Sequence, residues 1–289
     1  MEIRSLENIG FNALFEAFSK AFADYEIHFD KSEVHSMLTR RGYVPELSFG
    51  AFDNGKIVSF TLNGIGTFNG ISTAYDTGTG TIKEYRGCGI AGEIFKYSLP
   101  YLKEAGIRQY LLEVLQNNHK AIAVYRKMQF VTTRKFDCFR QSISELVNLH
   151  AVKSSIPLRI ESIDINIIRD TRSFFDFYPS WQNSIESIKR GFSGLTCIGA
   201  FDLEELVGFC VFDRNSGDLA QIAVKQSHRR QGVASQLLSE VIKQMSTDFI
   251  KVINVPSDNP TLPSFLKGKN IPLMNRQFEM AKDLTQPSK

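Results

Sequence analysis

Two six-residue stretches decide how this chain folds: Arg86-Gly87-Cys88-Gly89-Ile90-Ala91 and Arg229-Arg230-Gln231-Gly232-Val233-Ala234. Both read Arg-x-x-Gly-x-Ala, and the second stands 143 residues after the first in a chain of 289. Each follows an extended segment, at 77–82 and 219–224, and each opens an amphipathic helix. Apolar residues recur at helical spacing as Ile90, Ile94, Tyr97, Tyr101 and Ala105 in the first, and as Val233, Leu237, Val241 and Met245 in the second. A strand, a glycine turn and a helix thus occur twice, which marks an internal repeat.

Working outward, the first copy reads as helices near 9–21 and 31–41, then extended runs at 47–52, 56–66 and 70–82. Asp53-Asn54-Gly55 and Phe68-Asn69-Gly70 are turn signals, so these runs form an antiparallel meander. Pro100 is expected to kink or shorten the motif helix and Gly106 to end it. A buried strand at 108–115 follows, then Asn117 and Asn118 as helix caps, a helix to about Lys127 and a last strand at 130–139. The second copy gives a helix at 181–190, strands at 194–201 and 206–212, the motif helix and a strand at 249–255. The expected class is α/β with a mixed α+β sheet, in two domains at 1–142 and 158–289 joined by a linker at 143–157.

Composition narrows the function. The 43% hydrophobic and 22% charged content is that of a globular protein, and 34 Lys plus Arg against 31 Asp plus Glu leave a formal charge of +3. That is too little to hold nucleic acid nonspecifically, and the basic residues Lys153, His228, Arg229 and Arg230 have no interleaved aromatic stripe beside them. No apolar run approaches the roughly 20 residues that cross a bilayer, and Met1-Glu2-Ile3-Arg4 is not the start of a signal peptide, so a cytoplasmic protein without membrane contact is expected. Cys88, Cys138, Cys197 and Cys210 are too scattered for a disulfide framework or a structural zinc site, and no metal is implied.

A helix start whose first amides lack intrahelical partners, preceded by glycine, is a phosphate-binding device. Gly89 and Gly232 supply the room, and Arg86 and Arg229 stand where they add positive potential. Gly87-x-Gly89-x-x-Gly92 also matches a dinucleotide-binding fingerprint, with Glu113 placed for a ribose. That pattern normally opens a βαβ series, whereas here it follows a meander and is lost from the second copy.

The repeated Arg-x-x-Gly-x-Ala is similar to the pyrophosphate signature of the GNAT superfamily of N-acetyltransferases, and Asn118-x-x-Ala121-x-x-x-Tyr125, running on to Gln129-Phe130, resembles that family's second signature, with Gln129 in place of its usual glycine. The resemblance implies two GNAT-like acyl-CoA N-acyltransferase domains in tandem and acetyl-CoA as co-substrate. It implies a cofactor cradle at Ile82, Arg86, Gly87, Cys88, Gly89, Ile90, Ala91 and Asn118, and another at Val224, Arg229, Gln231, Gly232, Val233 and Ala234. Tyr125 is implied as general acid, Asp76 or Glu113 as a base acting through water, and backbone amides at 79–82 as the oxyanion partner; either carboxylate could equally be structural, and Asn118 could simply cap its helix. The acceptor is a small-molecule or peptide amine, for which Tyr25, Glu26, His28 and Asp30 offer a polar loop, and Trp181 either lines a pocket or staples a helix to the sheet. The second copy has Asn259, Pro260, Pro263 and Phe265 where the acid segment belongs, so it lacks the tyrosine, and its helix should be interrupted. The expected protein is an active first half and a noncatalytic second half, monomeric as a pseudo-dimer or weakly homodimeric. A noncatalytic acyl-CoA-binding or sensing protein is the alternative.

Overall fold

In the computed structural model, which describes residues 1–25, 28–147 and 154–286, the meander ahead of the first glycine turn is present. Strand β1 (Glu2–Ser5) is followed by helices α1 (Phe11–Ala21) and α2 (Lys31–Arg41), then by β2 (Phe49–Asp53), β3 (Lys56–Phe68) and β4 (Ile71–Thr81). Asn54-Gly55 and Asn69-Gly70 both take positive φ, the conformation a two-residue hairpin turn requires. Helix α3 (Ile90–Glu104), strand β5 (Gln109–Leu115), helix α4 (His119–Lys127) and strand β6 (Val131–Ser142) follow. Strands β1 to β4 pair antiparallel, and β4 pairs with β5 in parallel, as the intervening α3 crossover demands.

The second repeat supplies β7 (Arg159–Ser162), α5 (Ile185–Arg190), β8 (Thr196–Asp202), β9 (Glu205–Asp213), β10 (Asp218–Val224), α6 (Val233–Gln244), β11 (Phe249–Pro256), α7 (Thr261–Gly268) and β12 (Leu273–Asp283). The expected helix at 181–190 is divided: a short 3-10 turn holds Trp181–Asn183, and Ser184 then caps α5 by accepting from the Ser187 amide. Trp181 is buried under the Arg190 guanidinium, so it serves as a staple.

The chain divides into two compact units, one of residues Met1–Arg134 with Phe278–Lys289, the other of Lys135–Gln277. The expected boundaries at 142/143 and 157/158 run in chain order; the units divide inside β6 and β12, because the last strand of the chain returns to lie beside β5. In the first unit α1 and α2 bury Leu14, Phe18, Val34 and Leu38 on one face of the sheet. On the other face α3 buries Ile90 and Ile94 against Phe49 and Val58, and α3 and α4 bury Phe95, Leu102 and Ile122 against Tyr110 and Leu112. In the second unit α6 and α7 cover one face with Val233, Leu237 and Leu266, and α5 covers the other with Ile188.

Three local expectations change. The buried stripe of α3 is Ile90, Ile94, Ser98 and Leu102, whereas Tyr97 and Tyr101 are 38% and 43% exposed and lean on Phe49 from the side. Pro100 does not shorten that helix, since it removes only the bond to the Lys96 carbonyl, on an exposed side four residues from the end. Pro260 and Pro263 do not interrupt α7: Pro260 is its N-cap and Pro263 lies in the first turn, where amides have no intrahelical partner to lose.

Candidate functional site

Both glycine turns start a helix in the same unusual way. Gly87 and Gly89 have φ of 80° and 78°, and their counterparts Arg230 and Gly232 have 63° and 88°. Two left-handed residues in alternation turn successive amides to one side, and the second turn keeps that shape although only one glycine remains in it. Among the described residues, the amides of residues 87–91 donate to no protein acceptor; the first that does is Gly92, to the Gly89 carbonyl. A Cβ built on Gly87 or Gly89 would meet nothing within 4 Å, so open space faces these amides. Donors aimed into open space at a helix N-terminus fit a pyrophosphate.

The motif arginines have a different duty from the one their charge suggests. The Arg86 guanidinium donates to Thr81 O (3.0 Å), Ala21 O (2.8 Å) and both oxygens of Asp24 (2.6 and 2.7 Å), and this pairing holds the Asp24 carboxyl down at about 2. Arg229 repeats the pattern, donating to Val224 O (3.1 Å), Phe174 O (2.9 Å) and Asp176 (2.7 Å). Each arginine is a clamp that ties the turn to the end of the preceding strand, its guanidinium occupied by protein acceptors and not by the open side of the turn. Asp24 and Asp176 lie 62 and 53 residues from their partners, in segments without a local motif to mark them.

Residues 11–130 and 166–264 match the acetyltransferase (GNAT) family. The chain belongs to that family. It is 32% identical over 107 residues to N-alpha-acetyltransferase MAK3 of Arabidopsis thaliana, which covers 36% of this chain and 56% of that one. It is likewise 32% identical over 105 residues to N-alpha-acetyltransferase 30 of Schizosaccharomyces pombe, at 35% and 70% coverage. The chain thus spans little more than half the length of the first of these relatives. A solved tandem GNAT protein from the clavulanic acid biosynthesis pathway superposes with a TM-score of 0.76 over 100% of this chain and 99% of its own, at 13% identity, a likeness of fold.

Within the first GNAT unit, strand pleating sorts the candidate residues. Parallel pairing of β4 with β5 is confined to Thr73, Ala74 and Tyr75, after which the two strands part. The Ile82 amide donates to Val58 O, so by antiparallel alternation the amide of Gly80 also faces β3, while those of Thr79 and Thr81 face the gap that β5 has left. Tyr75 and Glu113 lie on one face of the sheet, where the Tyr75 hydroxyl donates to Glu113 at 2.9 Å. Asp76 lies on the other, the face of Ala74 and Tyr110, with Tyr125 packed there against Phe130. The structure therefore brings Asp76 and Tyr125 together and sets Glu113 apart. Gly92 packs against Met128, and Glu113 is held by Tyr75, so neither plays the part the dinucleotide fingerprint would give it.

Burial pushes the Asp76 carboxyl up to about 6, against hydrogen bonds from Thr79 and the Gly78 amide and the charge of Arg41, which favour ionisation. Its Oδ1 is buried without a hydrogen-bond partner among the described residues. Burial, and after it the charges of Asp76 and Tyr25, pushes the Tyr125 phenol well above its usual value, so it is a proton donor throughout the neutral range. Asn118 caps α4, its Oδ1 accepting from the Ala121 amide at 3.1 Å. Gln129, where the family places glycine, takes φ 68°, the conformation that explains the family's choice. Cys88 is exposed in the turn. Asp30 caps α2 in a reciprocal box with Glu33, Tyr25 and His28 are exposed, and Glu26 and Lys153 lie outside the described residues. No cluster of His, Cys, Asp and Glu among the described residues could hold a metal, and no described helix is long and apolar enough to cross a membrane.

The second GNAT unit keeps a cleft of about 350 Å³ at its turn, lined by Ile222, Val224, Gly232, Val233, Leu262 and Phe265. Its β10 carries a bulge at the same place as β4, one residue being inserted between Leu219 and Gln221 as one is between Asp76 and Gly78. In that register Leu219 occupies the place of Asp76.

An aspartate raised from 3.8 to about 6 destabilises the fold wherever it must ionise. The cost is absent below pH about 4, where the carboxyl is protonated both folded and unfolded, and complete above about 6. Asp76→Asn is expected to stabilise the first unit by on the order of 1–3 kcal/mol at pH 8 and by nothing at pH 4. Denaturant melts at the two pH values check this, and a variant less stable at pH 8 would show that the carboxylate is structural.

Proposed function

We propose that the chain is an N-acetyltransferase that moves acetyl from acetyl-CoA to a primary amine in its first unit, the second unit serving as a binding half. The observation that carries this is the juxtaposition of a desolvated carboxylate, Asp76, and a protonated phenol, Tyr125, on the face where β4 and β5 part. When bound, acetyl-CoA supplies an activated acyl carbon and a thiolate leaving group. The amides of residues 87–91 hold its pyrophosphate, and those of Thr79 and Thr81 face the gap where an oxyanion would be stabilised. Asp76 accepts a proton from the acceptor ammonium, directly or through water, and Tyr125 donates its hydroxyl hydrogen towards the departing sulfur. Glu113 is set aside as base because Tyr75 holds it on the opposite face.

The curated relatives are N-alpha-acetyltransferases, which favours a peptide α-amine as the acceptor over a small amine. The test is release of CoA thiol from acetyl-CoA with a panel of free-N-terminus peptides, lysine peptides, polyamines and amino acids. Turnover on peptides alone supports the reading. A pure sensor, the alternative, would gain about 2.7 kcal/mol of stability at 100 times the dissociation constant of acetyl-CoA and release no thiol with any amine.

The two halves differ in what they can do, since Leu219 and Phe265 replace Asp76 and Tyr125. Gly89→Glu is expected to remove nearly all turnover, because it places a bulky anion at a left-handed position facing the phosphate site. Gly232→Glu should leave turnover within a few fold of wild type while abolishing any second CoA site, read by calorimetric stoichiometry. The reverse ranking, with both variants folded, would move the active site to the second unit.

A further inference from the structure

The bulge in β4 has a consequence for Asp76. In a regular strand, residues three apart point to opposite faces. Register passes from Asn63↔Asp76 to Leu62↔Gly78, so Thr77 is the inserted residue and the alternation reverses across it. Asp76 and Thr79 consequently share a face, and the Thr79 hydroxyl donates to Asp76 Oδ2 at 2.8 Å. Thr79 is also paired across the ladder with Thr61, their hydroxyl oxygens 3.3 Å apart. A hydroxyl has one hydrogen, and of the two acceptors within reach of Thr79 the charged Asp76 oxygen, at the shorter distance, takes it in preference to Thr61. The bond from Thr79 fixes Oδ2 and leaves Oδ1, which has no partner among the described residues, as the free acceptor. The second unit provides an internal control. It keeps the bulge at Ala220, but Leu219 and Ile222 stand where Asp76 and Thr79 stand, so the polar pair is replaced as a pair while the backbone device that would align it remains.

We infer that Thr79 is a positioning residue for the acetyl-transfer reaction: it anchors one oxygen of Asp76 and so presents the other to the acceptor amine. This rests on the reading of Asp76 as the base. Other groups also bear on the carboxylate, namely Arg41 from α2, Tyr75 of β4 itself, Tyr110 from β5 and Tyr125 from α4, and none of them changes in the test.

The test compares Thr79→Val, which keeps shape and loses the hydroxyl, with Thr79→Ser, which restores it, and with Asp76→Asn. Thr79→Val should raise the titration midpoint of Asp76, followed by carboxyl carbon NMR and assigned by its absence in Asp76→Asn, by half a pH unit or more, because a bond to the ionised form is lost. Thr79→Ser should return it. With acetyl-CoA and a free-N-terminus peptide, kcat/KM at pH 7 should fall about tenfold in Thr79→Val, its acid limb moving with the NMR midpoint, and CoA affinity should stay within about threefold. In an Asp76→Asn background the Thr79→Val change should add nothing to the loss. An unmoved midpoint in folded Thr79→Val overturns the positioning role. An acid limb unchanged in Asp76→Asn overturns the base assignment and the inference with it, so the two failures are told apart.

Discussion

Deleting residues 278–289 should leave the first unit unable to fold. Met280 and Leu284 are fully buried among Ala74, Phe95, Tyr110 and Leu112, and cutting such side chains back even to alanine costs about 2–5 kcal/mol each. The same segment carries Glu279, whose buried carboxylate accepts from Arg134 Nε (2.9 Å), Arg134 Nη2 (2.6 Å) and the Thr133 hydroxyl (2.7 Å). Its loss strips the half-buried Arg134 of its carboxylate and opens the edge of β5, which a returning strand covers in the intact chain. Together these losses rival the roughly 5–15 kcal/mol that stabilises a whole domain. The expected result is an insoluble or unfolded product with no cooperative melt for the first unit, partly restored by a peptide of residues 273–286 added in trans. Deleting only residues 285–289 should lower the melting temperature by no more than a few degrees, because Leu284 and its amide bond to Arg108 O remain. A 278–289 deletion that melts within about 5 °C of the full chain would show that the strand is ornamental to the first unit.

That dependence marks the limit of what the sequence could disclose. The meander, both glycine turns, the Asn118 cap and the tandem architecture were legible because each is written in local signals: turn dipeptides, period-2 and period-3.6 patterns, and a glycine at a helix start. The placement of β12 was not, since nothing in residues 273–283 distinguishes a strand that stays beside its own repeat from one that travels back to β5. The clamps on Arg86 and Arg229 were hidden for a related reason, their partners lying more than 50 residues away in segments with no motif. The choice between Asp76 and Glu113 also needed the structure. Both are carboxylates on extended segments at reasonable distance from the turn, and only the register of β4 and β5 shows that they face opposite sides. The bulge at Thr77, which puts Thr79 under Asp76, is flanked by Gly78, but Gly80 and the glycines of β3 recur in the same hairpin, and the matching bulge at Ala220 has no glycine beside it, so glycine alone does not place it.

Tyr125→Phe is expected to separate binding from chemistry. The phenol ring packs against Phe130 at 5.7 Å between centroids, and phenylalanine keeps that contact, so stability and acetyl-CoA affinity should hardly change. What disappears is a hydroxyl that burial keeps protonated at every pH where the enzyme would work. A thiol titrates at about 8.5 and an ordinary phenol at about 10, and burial widens that gap, so complete proton transfer from Tyr125 to a free thiolate is uphill. The hydroxyl therefore contributes chiefly as a hydrogen-bond donor to sulfur as negative charge develops there, and its removal should lower the turnover number on the order of 10 to 1000 fold. The same argument fixes how the deficit should vary: acyl donors whose thiol leaves more readily have less need of the donor, so the ratio of wild-type to Tyr125→Phe rates should shrink as the leaving-group thiol becomes more acidic. Single-turnover measurements, in which chemistry rather than product release is timed, supply both numbers. An undiminished single-turnover rate in the variant would reject Tyr125 as the group that assists departure. A deficit that stays constant across leaving groups would instead mean that the hydroxyl orders the site without meeting the sulfur.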